Sequence, residues 1–272
     1  MSSTEVSTTT ETSAVATKLS LTATEKPIDI ARDAQRVFEV LKKGGLAIIP
    51  GDVGYGLVAM DPKALERAFV TKQRQPHKRH AMLGSFALHK ELHVLPEREA
   101  NMVELLTRDI DIPLGVVAPC KMDHPLLQKL GPETLARSSV DGTLGMLVNG
   151  GKLQDELVRL SSSAGLPLMG SSANLSGKGT KWLVEHIEPE ILAAADIIID
   201  YGWRKYSLPR TSSTMIDFRT LEVLRFGCCY NMIQDVFQRY YGITMPEDPG
   251  REVNFSGHRR EAAKESPVQI SA

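Results

Sequence analysis

The sequence predicts an α/β domain built on a mixed sheet. Short apolar runs of strand length recur along it, at 46–50, 114–118, 144–148, 166–170 and 197–200. Segments with helical spacing of apolar residues lie between them, the alternation that builds α/β layers. The last two strand candidates, 214–218 and 221–226, are close enough to pair as a hairpin, so the sheet is expected to be mixed rather than wholly parallel.

Each element has a local reason. Ala34, Val37, Phe38 and Leu41 fall at i, i+3, i+4 and i+7, one apolar stripe of a helix, and Gly44-Gly45 ends it. The run at 46–50 then reads as a strand. Asp61-Pro62 is a helix start, with Asp as N-cap and Pro in the first turn, and Leu65, Ala68 and Phe69 form the buried face that follows. Further helices are expected at 152–163, 189–195 and 230–241. Residues 1–26 read as a disordered tail, because 13 of the first 25 are Ser or Thr and few are large and apolar. Residues 244–272, rich in charge and Pro, read as a second tail. The folded domain is then 27–243.

Composition narrows the function. The chain has 272 residues, 32 Lys+Arg against 33 Asp+Glu, and a formal net charge of −1, which excludes nucleic-acid binding by bulk positive charge but leaves room for a local basic groove. At 42% hydrophobic residues it can bury a core. The Cys residues are Cys120, Cys228 and Cys229, without a CxxC pair, which fits a reducing compartment and disfavours a zinc site; the vicinal pair reads as packing. No metal-binding residues are expected. No apolar run reaches about 18 residues, and the N-terminus has no signal-like apolar stretch, so no membrane span and a cytoplasmic location are expected. Neither G-x-x-x-x-G-K-[ST] nor G-x-G-x-x-G occurs.

Three segments can carry chemistry. The run from Lys72 to Arg79 (KQRQPHKR) directly follows the second helix and offers Lys, Arg and His donors to an anion; in isolation it reads equally as a solvated basic loop. His77 lies in this run and His80 directly follows it, without helical ligand spacing. The run from Gly170 to Gly177 (GSSANLSG) supplies small residues, so a backbone can approach a ligand closely while hydroxyl and amide groups bind it; it also fits an ordinary turn. Arg210 to Thr214 (RTSST) precedes a strand, and Leu224-Arg225-Phe226-Gly227 ends the next.

Taken in order, these pieces resemble the YrdC-like family of threonylcarbamoyl-adenylate synthases. The likeness is carried by Gly44-Gly45, the strand to Pro50, Asp52, Tyr55-Gly56-Leu57, Lys72-x-Arg74, Gly142-Thr143-Leu144-Gly145, Ser172-Ala173-Asn174-Leu175-Ser176-Gly177, Ser213-Thr214-Met215-Ile216-Asp217 and Leu224-Arg225-x-Gly227, over about residues 30–228. The resemblance implies a divergent single-domain member with a YrdC-like twisted mixed sheet, flanking helices and a positively charged concave cavity. It also implies an ATP-dependent nucleotidyltransferase. L-Threonine is carboxylated on nitrogen with bicarbonate, the carbamate attacks the α-phosphate of ATP, pyrophosphate leaves, and threonylcarbamoyl-AMP serves modification of adenosine 37 in tRNA. Mg²⁺ would enter with ATP.

By the same resemblance Lys72 and Arg74 are the catalytic cations. Tyr55 faces the amino-acid end, Ser172, Asn174 and Ser213 line the nucleotide pocket, and Arg210 and Arg225 lie on the nucleotide side. The sequence departs from the family pattern at three positions. Gly51 and Val53 stand where the first motif usually carries two Thr, and Leu147 stands where an Arg is frequent. All three belong to the amino-acid end. Two alternatives follow: the same chemistry on another small amine or carbamoyl donor, or a degenerate site that binds nucleotide, double-stranded RNA or tRNA without turnover.

Overall fold

The computed structural model describes residues 28–75, 78–207 and 212–250. Helix α1 (Ile30–Lys42) leads into strands β1 (Ala47–Gly51) and β2 (Gly54–Ala59), then α2 (Pro62–Thr71), β3 (Ala81–Leu83), α3 (Phe86–Leu92) and α4 (Glu97–Glu104), which runs on into a π-helical turn at Leu105–Asp109. Strand β4 (Leu114–Pro119), the short helices α5 (Pro125–Gln128) and α6 (Gly131–Ser138), β5 (Ser139–Val140), β6 (Thr143–Val148), α7 (Lys152–Ser163) and β7 (Met169–Ser172) follow. The described part closes with α8 (Pro189–Ala194), β8 (Ile197–Ile198), β9 (Thr214–Asp217), β10 (Glu222–Arg225) and α9 (Tyr230–Tyr241).

The strands form one twisted sheet in the order β10-β9-β4-β6-β3-β7-β2-β1-β8, with β5 paired to β6. Pairings β1–β8, β3–β6 and β4–β9 are parallel, and β1–β2, β2–β7, β3–β7, β4–β6, β5–β6 and β9–β10 are antiparallel. The mixed α/β sheet with flanking helices is therefore the architecture expected. Helix α1 packs against α7, and both pack against β1; α2 packs against β2 and α8. The central strands β1, β4 and β6 are almost wholly apolar and buried, as strands covered on both faces are.

The local signals act as anticipated. Asp61 Oδ1 accepts from the amides of Lys63 (2.9 Å) and Ala64 (3.1 Å), capping α2. Gly44, at φ 82°, ends α1 while its amide bonds Leu41 O (3.0 Å) and that of Gly45 bonds Val40 O (3.0 Å), the paired bonds of a Schellman motif. Strand β7 begins at Met169, later than the expected 166, because Pro167 has no amide for the ladder. It continues through Ser171 and Ser172, which pair with Leu57 and Gly56 of β2. Strand β8 stops at Ile198. Residues 244–250, assigned above to the C-terminal tail, include a buried Met245, and Pro246 O accepts from the Tyr230 hydroxyl, so the packed region passes the expected boundary at 243. The expected N-terminal tail, 1–26, lies outside the described residues.

The β1–β2 connection is tight. Gly51 pairs with Gly54 across a two-residue turn. A Cβ on Gly51 would lie 3.0 Å from Gly54 O and 3.4 Å from Gly150 O, both backbone atoms that cannot swing aside. The Asp52 amide donates to Gly150 O at 2.7 Å, fixing that approach.

Candidate active site

The site is built on the C-terminus of α2. Lys72 caps this helix, and the next two amides turn back onto it: Gln73 N donates to Val70 O (2.9 Å) and Arg74 N to Phe69 O (3.2 Å). Gln73 takes the left-handed conformation, φ 50°, that this ending requires. The turn sends Lys72 inward, where only 3% of it is exposed. Its Nζ donates to the carbonyls of Ser172 and Asn174, and its own carbonyl accepts from Ser176 N at 3.0 Å. The small-residue segment after β7 therefore wraps the lysine.

That segment is held from several sides. Ala173 N donates to Tyr55 O (2.8 Å), Asn174 N to Ser172 O (3.0 Å) and Leu175 N to Glu188 Oε2 (3.1 Å), while Glu188 Oε1 pairs with Lys181 Nζ at 2.7 Å. Asn174 is buried, its Nδ2 donating to Leu175 O, and its Oδ1 has no partner among the described residues. Arg74 Nη2 donates to Arg79 O at 2.7 Å, whereas its Nη1 is buried without a partner there.

Burial shapes the charges. It pulls the Lys72 ammonium down to about 7, helped by the Arg74 guanidinium and opposed by Glu188. Burial lowers Arg74 to about 10. Two cations held in a poorly solvated place, each at a cost, are suited to receive an anion.

The structure separates the other expected residues. Ser172 and Asn174 join Lys72 and Arg74. Ser213 and Arg225 join each other instead: Arg225 Nε donates to Ser213 O (2.8 Å) and Nη2 to Ser213 Oγ (3.0 Å), with burial lowering the guanidinium to about 10. This pair sits at β9–β10, on the far side of β4, β6 and β3 from β7. Arg210 lies outside the described residues, as does His77.

Tyr55 departs from its expected role. It is 1% exposed, and its hydroxyl donates within reach of Asp200 Oδ1 (2.7 Å) and Gly202 O (2.8 Å) and accepts from Tyr201 N (3.1 Å). Burial and Asp200 push its pKa well above the usual tyrosine value. With its hydrogen-bonding capacity used internally, Tyr55 anchors the 200–204 segment to β2 rather than facing a ligand. Arg204 completes this anchor, donating to Gly51 O at 2.9 Å and lying 5.7 Å from the Tyr55 ring centre. Glu188 and Arg204 are not among the residues expected from sequence, and Asp200, which has no paired-carboxylate spacing, acts here as a hydrogen-bond acceptor for Tyr55. Asp200 and Arg204 act on partners about 150 residues away, Glu188 on Lys181 and Leu175 across an irregular loop, and no local pattern marks any of them.

The model of the Sua5/YciO/YrdC family, described as "Telomere recombination", matches residues 39–227. The chain belongs to this family. A relative from Methanocaldococcus jannaschii, described as "Putative threonylcarbamoyl-AMP synthase", is 28% identical over 201 residues, 70% of this chain and 86% of that one. Among solved structures, P. abyssi Sua5 complexed with L-threonine matches with a TM-score of 0.62 and 21% identity, covering 82% of this chain and 61% of that chain. A hypothetical protein from Streptococcus mutans UA159 matches with a TM-score of 0.63 and 23% identity over 78% of this chain and 93% of that chain. Both likenesses establish the family fold. Among the described residues no helix is long and apolar enough to cross a membrane.

Proposed function

We propose that this protein is an ATP-dependent transferase that makes L-threonylcarbamoyl-AMP from L-threonine, bicarbonate and ATP, for tRNA adenosine-37 modification. The observation that carries the reading is the buried Lys72, wrapped by the Ser172–Gly177 segment, with the half-buried Arg74 beside it. Lys72 and Arg74 hold the phosphates and the carbamate, and hold them close despite mutual repulsion. Arg74 Nη1 supplies a directed donor and Asn174 Oδ1 an acceptor, so the two ends of the cluster select a ligand that carries both an anion and an N–H or O–H group. No strong base is needed, because the nucleophile is already an anionic carbamate and pyrophosphate is the leaving group. Mg²⁺ enters with ATP and offsets phosphate charge.

A second reading concerns the amine. Gly51 ends β1 where a Cβ would press on the carbonyls of Gly54 and Gly150, Val53 is buried, and Leu147 is held through its carbonyl by Gln154 Nε2 at 2.9 Å. None of the three supplies the hydroxyl or guanidinium usual in the family, which favours an acceptor with fewer polar groups than threonine. The test is mass spectrometry of the purified protein with ATP, Mg²⁺, bicarbonate and L-threonine. Pyrophosphate and threonylcarbamoyl-AMP, both lost in Lys72→Ala and Asn174→Ala with the fold intact, are the expected result. ATP binding without product would move the reading to another amine, and no ATP binding would refute it.

A further inference from the structure

A buried histidine stands beside the two cations. His80 is 5% exposed and immediately precedes β3; from the pairing of Ala81 with Gly170 it faces Ser171, next to the Ser172 carbonyl that receives Lys72. Its ring centre is 6.0 Å from that of Phe69, which Arg137 covers at 5.7 Å. The Arg74 guanidinium, bonded to Arg79 O, lies against the peptide that joins Arg79 to His80. Two polar atoms of these neighbouring side chains, Arg74 Nη1 and His80 Nδ1, are buried and lack partners among the described residues. More than nine in ten buried polar groups of folded proteins are paired, so two orphans together point to a shared ligand atom. Burial, with Arg74, Lys72 and Arg137 nearby, keeps the imidazole neutral. A neutral imidazole with its proton on Nδ1 is a donor that adds no further charge to a crowded cationic site.

We propose that His80 is a third binding residue for the anion at Lys72 and Arg74, its Nδ1–H donating to a phosphate or carboxylate oxygen that also accepts from Arg74 Nη1. The inference rests on anion binding at this cluster, as in the function proposed above, and adds a residue outside the Lys-x-Arg pair.

The test uses inorganic pyrophosphate, titrated calorimetrically into the full chain and into His80→Leu and His80→Asn. Leu keeps bulk and removes the donor; Asn places an N–H close to where Nδ1 stood. A hydrogen bond to a charged group predicts about a tenfold or greater loss of affinity in His80→Leu and a largely restored affinity in His80→Asn. Side-chain ¹⁵N spectra of the unaltered protein give a readout that needs no variant: the His80 Nδ1 resonance should move on pyrophosphate addition. Unchanged affinity in His80→Leu, equal loss in both variants, or an unmoved resonance would each overturn the proposal. The two proposals fail separately. Pyrophosphate binding that depends on Lys72 but not on His80 removes this inference alone. Binding that depends on His80 without threonylcarbamoyl-AMP synthesis removes the reaction alone, and absence of any pyrophosphate binding removes the anion site altogether.

Discussion

Lys72 offers a sharp test of the site, because its protonation and its ligand are linked. Burial and Arg74 bring its ammonium from 10.5 to about 7, a penalty on the charged form of about 5 kcal/mol. A neutral amine has two N–H groups, and two carbonyls, of Ser172 and Asn174, stand ready to accept them. Protonation adds a third N–H and a charge, both of use to an anion. At pH 8, one unit above that value, roughly a tenth of the unliganded sites carry the proton. A bound polyphosphate raises the lysine again, so binding at pH 8 should take up about 0.9 proton per site, falling to about half a proton at pH 7. ATP is the ligand for this measurement, because its terminal phosphate is already fully ionised at pH 8 and contributes little. Titration calorimetry in two buffers of different ionisation enthalpy measures this number directly. Above pH 7 the affinity should fall about tenfold per pH unit, until the free lysine value of the complex is passed. An uptake near zero at pH 8, or an affinity flat from pH 7 to 9, would refute the assignment of Lys72 as the titrating anion ligand. Lys72→Met should abolish the uptake and bind weakly at every pH.

Two further outcomes follow from the packing. His89 Nδ1 lies 2.8 Å from His93 Nδ1 and His93 Nε2 lies 3.1 Å from Leu144 O, a buried pair that burial lowers to about 4 and about 3. Their folded values are below the unfolded value, so the unfolded chain binds more protons: the stabilisation is whole above about pH 6.5 and is lost as the pH falls toward 4. The pair predicts a loss of about 4 kcal/mol between pH 7.5 and pH 5, read as a lower urea midpoint; a flat midpoint would refute it. Tyr55→Phe strands Asp200, Gly202 O and Tyr201 N, and should cost about 2–3 kcal/mol in urea unfolding while leaving pyrophosphate affinity within about twofold. A selective loss of ligand binding with unchanged stability would return Tyr55 to the binding surface.

The helices with clear ends were legible from sequence. Asp61-Pro62 started α2 and Gly44 stopped α1 because caps are local and act through neighbouring amides. Helices α7 and α9 occupy 152–163 and 230–241 as read, each carried by an apolar stripe. Strands β2 and β3 were hidden. Gly54-Tyr55-Gly56 has the composition of a loop and is a strand only because β1 and β7 flank it; β3 has three residues and takes its identity from β6 and β7. Helices α3 to α6 carry many polar residues in short lengths, so their periodicity does not stand out. In the site, Lys72 and Arg74 were legible as a pair, and Ser172 and Asn174 as a small-residue turn. Their meeting was not legible without a family pattern, since about 100 residues separate them. Tyr55 shows the opposite limit. Its motif was visible, yet the hydroxyl partners that decide its role come from 145 and more residues away.

The corner at Gly51 ties two stretches of chain that lie about 100 residues apart. Its Cβ position is hemmed by the main chain of Gly54 and Gly150, and Gly151 is itself pressed against Asp52, where a Cβ would stand 2.7 Å from Oδ1. A side chain at position 51 therefore requires the main chain around it to give by a few tenths of an ångström. The β1–β2 turn and the 150–151 strip therefore behave as one mechanical unit, and a substitution in either is expected to be felt in the other.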